Sequence, residues 1–243
     1  MTTRKRADRT LVERGLAPSR ARAQAAIEAG LVSADGVRVE KASQPISAEA
    51  ELRAAPAYPY VSRGGLKLAA ALDRFAFHPR GKICLDVGAS TGGFSEVLLN
   101  RGARLVYAVD VGHGQIHPSL RSRRGIVSLE GTDARALERP LVPEPVELLV
   151  ADVSFISLKL VLPTAMALCA PAAELVVLAK PQFEAGRGHL KKGIVRDEAV
   201  RKAVCADIER FIAAAGWRVI GTMESPIEGG EGNREFLIGA RRR

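Results

Sequence analysis

The chain has only three cysteines, Cys84, Cys169 and Cys205, set far apart in apolar stretches. That spacing excludes a closed disulfide framework and a paired-cysteine metal site, and it fits a reducing cytosol. The N-terminus lacks the apolar core of a secretory signal. The longest greasy region, Leu160 to Ala173, is short and interrupted by Pro163, so no membrane span is expected. Internal repeats and low-complexity tracts are absent. His113 and His117 stand four apart without a third ligand nearby, so no metal site is expected. No Ser-His-Asp set or Cys-His pair stands out.

What is present is positive charge. Lysine and arginine number 36 against 27 acidic residues, giving a formal net charge of +9 in 243 residues. A basic surface steers association with polyanions and gains counterion release. The bias is concentrated early: Arg4, Lys5, Arg6, Arg9, Arg14, Arg20 and Arg22 face only Asp8 and Glu13. Hydrophobic residues at 47% nevertheless support a real core, and the length suits one sizeable domain plus a small one.

Texture changes near Ala54 to Tyr60, where an alanine- and arginine-rich opening meets a proline-bearing linker. The expected domains are residues 1–57 and 58–243. In the first, Leu11, Val12 and Leu16 mark a short helix. Ser19 is an N-cap for a second helix with Ala23, Ala26 and Ile27 on its apolar face, closed by Gly30. Leu31 to Val39 reads as strand, Asp35-Gly36 turn, strand, with extended segments at Ile46 and Leu52. Arg20 and Arg22 sit in the first turn of the second helix, where the dipole disfavours cations unless an anion is near. The reading is a small α+β RNA-binding module touching phosphate through Arg4, Arg6, Ser19, Arg20, Arg22 and Lys41, joined by Arg63 of the larger domain.

Beyond the linker, strands and helices alternate as in an α/β, doubly wound Rossmann-like sheet. Helices are expected at Leu66 to Phe75, Phe94 to Arg101 and Asp197 to Ala215. Five buried strands are expected at Ile83 to Val87, Leu105 to Val109, Ile126 to Leu129, Val146 to Val150 and Leu175 to Ala179. A closing pair follows at Trp217 to Met223 and Glu235 to Gly239.

Asp86, Val87, Gly88, Ala89, Ser90, Thr91, Gly92, Gly93 and Phe94 run from strand through a glycine-rich turn into a helix, which is nucleotide-cofactor geometry. The spacing is not Gly-x-Gly-x-x-Gly, so a cofactor without phosphates, S-adenosylmethionine, fits better than a dinucleotide. Asp110, ending the second strand beside Val111, is suited to accept from ribose hydroxyls, and Asp133 from an adenine amino group.

Four further residues bracket the expected carboxyl edge: Lys67, Asp152, Lys180 and Glu235. Two ammonium and two carboxylate groups together suit transfer of a methyl group to an alcohol. The hydroxyl must be aligned with the donor and relieved of its proton. Lys180 is read as the orienting group or base, Lys67 as a stabiliser of negative charge, and Asp152 and Glu235 as their holders. Which lysine is neutral stays open.

These blocks, in this order, resemble the TlyA family, also called haemolysin A-like proteins. The likeness runs through Glu13 to Ala17, Ser19-Arg20, Tyr60 to Gly65, Asp86 to Phe94, Ala108 to Gly112, Asp152 to Leu158, Lys180 to Glu184 and Gly232 to Leu237. It implies a ribosomal-protein S-four-type RNA-binding domain followed by an FtsJ-like methyltransferase domain. The implied activity is methylation of a ribose 2'-hydroxyl of ribosomal RNA, of cytidine in this family, with a Lys-Asp-Lys-Glu tetrad landing on Lys67, Asp152, Lys180 and Glu235. An RNA-binding ribosome assembly factor with little turnover is the alternative, against which the intact tetrad argues.

Overall fold

The computed structural model describes residues 4–242, apart from the side chains of Arg187 and Glu231. The chain forms two compact units, Met1–Pro59 and Tyr60–Arg243.

The smaller unit contains β1 (Arg4–Arg6), α1 (Ala7–Glu13), α2 (Arg20–Glu28), β2 (Val32–Ala34), β3 (Val37–Arg38), β4 (Pro45–Ser47) and β5 (Leu52–Ala54). Strand β1 pairs antiparallel with β4, and β3, β2 and β5 form a second small sheet. Asp35 and Gly36 both take positive φ, 50° and 77°, as a two-residue hairpin turn demands. Its core is aliphatic, with Leu11, Ile27, Val32, Val39 and Ile46 buried.

Two sequence expectations need revision here. The first helix stops at Glu13, because Gly15 turns the chain at φ +71°, and Leu16 is left exposed rather than helical. The basic opening forms a strand, which the charge pattern did not reveal. The anion that makes a cation tolerable at the start of α2 is internal: Asp8 is fully buried and accepts from Arg20 Nη2 at 2.9 Å. Asp8 also accepts from Arg6 Nε and Nη2, both at 3.0 Å, and from Gln24 Nε2 at 3.0 Å.

The larger unit is built on a seven-stranded sheet. In chain order it comprises α3 (Gly64–Phe75), β6 (Ile83–Val87), α4 (Gly93–Asn100), β7 (Leu105–Asp110), α5 (Pro118–Arg121), β8 (Ile126–Glu130) and β9 (Val146–Ala151). Then come α6 (Leu158–Ala167), β10 (Cys169–Ala179), α7 (Pro181–Glu184), α8 (Glu198–Ala214), β11 (Trp217–Glu224) and β12 (Phe236–Arg242). The strand order is β11-β12-β10-β9-β6-β7-β8, with β12 antiparallel to both neighbours and the other pairings parallel. Connections from β6 run outward through β7 to β8, whereas β9 lies on the other side of β6. The crevice between the carboxyl ends of β6 and β9 is therefore the topological switch point, where doubly wound sheets bind ligands.

Both faces of the sheet are covered, so its strands are near-continuous apolar runs. Ile83, Leu85 and Val87 enter one core while Cys84 enters the other, following the two-residue strand period. The greasy region from Leu160 is the end of α6, with Pro163 inside it, followed by the start of β10. That strand begins at Cys169, earlier than the expected Leu175, and a register shift between Cys169 and Glu174 accommodates Pro171.

Removing the Asp8 carboxylate, by Asp8→Ala, should destabilise the smaller unit by about 2 kcal/mol, the scale of lost charge-assisted hydrogen bonds. Arg6 holds this carboxyl well below the usual carboxylate range, with Gln24 and Arg20 reinforcing it. Its contribution is present above the unfolded value and is lost as pH falls through the folded one. Amide hydrogen exchange in α1 and α2 at neutral pH should accelerate in the variant, and the difference should shrink in acid.

Candidate active site

The loop after β6 turns through Gly88, at φ +82°, and is fastened to the neighbouring strand by Gly88 N–H and Ala89 N–H, which donate to the Val109 carbonyl at 2.9 and 3.0 Å. A side chain at Gly88 would collide with the Asp152 carbonyl, so glycine alone lets the loops after β6 and β9 meet. Asp152 N–H in turn donates to the Val87 carbonyl at 2.9 Å. Gly92 takes φ +92° and starts α4, whose Phe94 is buried in the core behind the loop.

Asp110 ties the glycine loop to the end of β7. Its Oδ2 accepts from Ser90 N–H and its Oδ1 from Gly112 N–H, both at 2.8 Å. A carboxylate has about four acceptor positions, so capacity for two hydroxyls remains. Asp110 and Val111 line a cavity of ≈ 470 Å³ together with Val87, Val109 and Ile156. Asp133 lines it too, but its carboxylate caps its own turn and is gripped by Arg135, whose Nε lies 3.0 Å from both oxygens. Hydrogen bonds from Arg135 hold the Asp133 carboxyl down at about 2.

A second cavity of ≈ 300 Å³ lies on the other side of the glycine loop and is lined by Arg63, Lys67, Thr91, Gly93, Asp152 and Lys180. Gly88, Ser90, Asp152 and Ser154 line both cavities, making them one crescent over the switch point. Lys67, Asp152, Lys180 and Glu235 meet at its far end as two ion pairs. Buried Lys67, from the first turn of α3, pairs with Glu235, which is 2% exposed at the start of β12. Lys180, following β10, lies 2.7 Å from Asp152 Oδ1 and donates to Ser154 Oγ at 2.8 Å. Lys180 and Glu235 also line a third cavity, with Phe155, Gln182 and Asn233.

Of the other residues read from sequence, Asp86 and Gly92 line none of these cavities. Asp86 is fully buried beneath the loop, with Oδ2 accepting from Ser95 Oγ at 2.7 Å and Oδ1 without a partner among the described residues. Arg4, Arg6, Ser19, Arg20, Arg22 and Lys41 belong to the smaller unit. Arg4 and Lys41 are exposed, Arg6 and Arg20 share Asp8, and Arg22 lies 4.1 Å over the Tyr58 ring with its N–H donating to Ser19 Oγ.

Sequence reasoning missed Gln115, Thr132 and Arg135 in the first cavity and Gln182 and Asn233 in the third. It also passed over Phe155 as an individual: this ring is 91% exposed, sits at φ +64° and packs 5.0 Å from Phe183. A positive φ at a bulky residue signals stored strain at a functional loop. The one legible sign was the polar-apolar run around it, Ser154 to Ser157.

A doubly wound sheet with a glycine loop and an acid-lined crevice at its switch point is a nucleotide-cofactor architecture, and it fits the class of S-adenosylmethionine-dependent methyltransferases. The family profile for FtsJ-like methyltransferases matches residues 60–242, and that for S4 domains matches residues 5–52. A 16S/23S rRNA (cytidine-2'-O)-methyltransferase TlyA from Mycobacterium tuberculosis is 43% identical over 241 residues, covering 98% of this chain and 90% of the relative. Hemolysin A of Brachyspira hyodysenteriae is 38% identical, with 96% and 98% covered. A solved structure from Streptococcus thermophilus, described as a "putative hemolysin", superposes with a TM-score of 0.78 at 39% identity, over 100% of this chain and 90% of that one. The chain belongs to the TlyA family.

S-adenosylmethionine fits the residues present. The walls around Val87, Val109 and Ile156 suit a flat adenine, Asp110 has acceptors to spare, and no basic side chain is needed for a phosphate the cofactor does not have.

Burial raises the Asp86 carboxyl from 3.8 to about 7, with the charges of Asp152 and Asp110 adding to the effect. A raised carboxyl favours the folded state only while protonated, so its contribution is full below pH 3.8 and is lost as pH rises towards 7. Asp86→Asn should remove this loss. Thermal midpoints without cofactor should favour the variant increasingly between about pH 4 and pH 7, whereas parallel profiles would show Asp86 to be titrating normally.

Proposed function

We propose that this protein transfers a methyl group from S-adenosylmethionine to a ribose 2'-hydroxyl of ribosomal RNA, on cytidine, as the name of its mycobacterial relative states for that protein. The observation that carries this reading is the meeting of two Lys–carboxylate pairs at the end of the crescent, beside the glycine loop. A nucleoside hydroxyl is a poor nucleophile near neutral pH. It needs alignment and a proton acceptor rather than a covalent intermediate or a metal.

When bound, S-adenosylmethionine supplies a methyl on a sulfonium, and a neutral thioether leaves as the new C–O bond forms. Asp152 and Ser154 hold the Lys180 Nζ where the second and third cavities adjoin, and there it hydrogen-bonds the incoming 2'-hydroxyl. Lys180 aligns the hydroxyl and is placed to take up its proton, with Asp152 beside the Nζ to stabilise positive charge there. Lys67, fixed by Glu235 in a buried setting, lowers the energy of negative charge building on the ribose oxygen. Phe155 offers a ring on which the target base can stack, a common way of holding an unpaired RNA base.

The division into an RNA-docking domain and a methyltransferase domain at the linker belongs to the same reading. Residues 1–57 would grip phosphates through Arg4, Arg6, Arg20, Arg22 and Lys41, while Arg63 meets RNA at the rim of the catalytic cavity. Ribosomal RNA places this work in the cytoplasm. No helix of the described residues is long and apolar enough to cross a membrane.

Labelled methyl transfer to unmodified ribosomal subunits tests the proposal. Wild-type protein should label ribosomal RNA, and Lys180→Ala should lower the single-turnover rate by at least about 100-fold, the lower end for general acid–base catalysis. Its affinity for the cofactor should stay within about twofold, since less than 0.5 kcal/mol is at stake. Asp110→Ala should do the reverse at binding, weakening the cofactor at least about tenfold by calorimetry, or about 1.4 kcal/mol. Label found on protein or on a base, or Lys180→Ala turning over at the parent rate, would overturn the assignment.

A further inference from the structure

Most of the formal net charge of +9 lies outside the smaller unit, and part of it is gathered where the catalytic account has no use for it. At the amino ends of β6, β7 and β8, about 20 Å from the glycine loop at about 3.3 Å per strand residue, three loops are laced together. Gly81 N–H donates to the Gly102 carbonyl at 2.8 Å, Arg104 N–H to the Lys82 carbonyl at 2.9 Å, and Val106 N–H to the Gly125 carbonyl at 2.8 Å. This lacing gathers Arg80, Arg104, Arg123 and Arg124 at one edge of the sheet, next to a groove of ≈ 430 Å³ lined by His78, Pro79, Arg80 and Arg101.

The acids nearby are already committed. Asp73 is paired with Arg101, Glu174 with Lys82 and Arg241, and Glu147 accepts from Ile83 N–H at 2.9 Å. Arg123 donates to the neutral Asn100 side chain at 2.7 Å. Among the described residues, no carboxylate lies within 4.0 Å of the Arg80, Arg104 or Arg124 guanidinium, and all three residues are exposed. A cluster of uncompensated guanidiniums repels itself, and it gains energy when phosphates replace its counterions.

We propose that this amino edge is a second RNA-docking surface, which grips phosphates of the ribosomal RNA away from the nucleotide being methylated. The proposal rests on the ribosomal RNA reading above and extends it to a face opposite the catalytic crevice. Arginine forks match phosphate geometry. Apart from Val127, the exposed large apolar side chains lie elsewhere, so the surface lacks the anchors of a protein or lipid interface.

The test is the full chain carrying Arg80→Gln, Arg104→Gln and Arg124→Gln together, none of which touches the catalytic cavities. Affinity for protein-free ribosomal RNA, measured from low to moderate salt, should fall. The slope of log affinity against log salt should become shallower by about 2 to 3, at about 0.9 for each phosphate no longer neutralised. With ribosomal subunits KM should rise about tenfold while kcat and cofactor affinity stay within twofold. An unchanged slope and KM in a variant that still melts cooperatively would overturn the proposal. So would a weakening confined to protein-bearing subunits with naked RNA binding intact, since that would mark a ribosomal-protein partner. If wild-type protein itself methylated no ribosomal RNA, the parent reading would fail instead.

Discussion

The proposed chemistry depends on keeping two lysine–carboxylate pairs close together, one buried and one half-buried in the wall of the crevice. Burying Lys67 with Glu235 and half-burying Lys180 with Asp152 is costly, and breaking one such pair strands a charge. The fold meets that cost with rigid placement. Lys67 comes from a helix turn, Asp152 and Lys180 from the ends of adjacent parallel strands, and Glu235 from the start of an antiparallel one. Each ammonium has its own acid, so the four groups are held without net charge among them.

That arrangement follows from topology. The sheet reverses its winding between β6 and β9, and the two strands' exit loops touch there through Gly88 and the Asp152 carbonyl. The same contact that permits the glycine turn brings the Asp152 carboxylate beside the crevice. Asp110 extends the linkage sideways by accepting from Ser90 and Gly112 N–H groups. The walls of the crevice are thus fixed by backbone hydrogen bonds, which cost no reorganisation when charge moves.

Much of this was legible in the sequence for identifiable reasons. Buried parallel strands are short apolar runs between glycines, so Ile83 to Val87 and Leu105 to Val109 were placed within a residue. Asp152 and Lys180 were read as candidates because charged residues directly after such runs stand out. What stayed hidden has physical causes too. Pro163 and Pro171 disguised the junction of α6 and β10, since a proline tolerated inside a helix or beside a bulge reads as a break. Three basic residues in a row hid β1. The partnership of Asp8 with Arg6 and Arg20 and the grip of Arg135 on Asp133 depend on side-chain geometry that spacing does not reveal. The arginines of the amino edge are scattered through three loops, so only folding exposes them as a group.

The two lysines, on this reading, act as one device. A double-mutant cycle on single-turnover methyl transfer, with saturating cofactor and Lys67→Ala, Lys180→Ala and both together, tests this most directly. Groups that act as a unit lose their effect together, so the double variant should be no more than about threefold slower than the slower single one, well under 1.4 kcal/mol. Losses that multiply across the cycle would show two independent contributions and contradict the shared role.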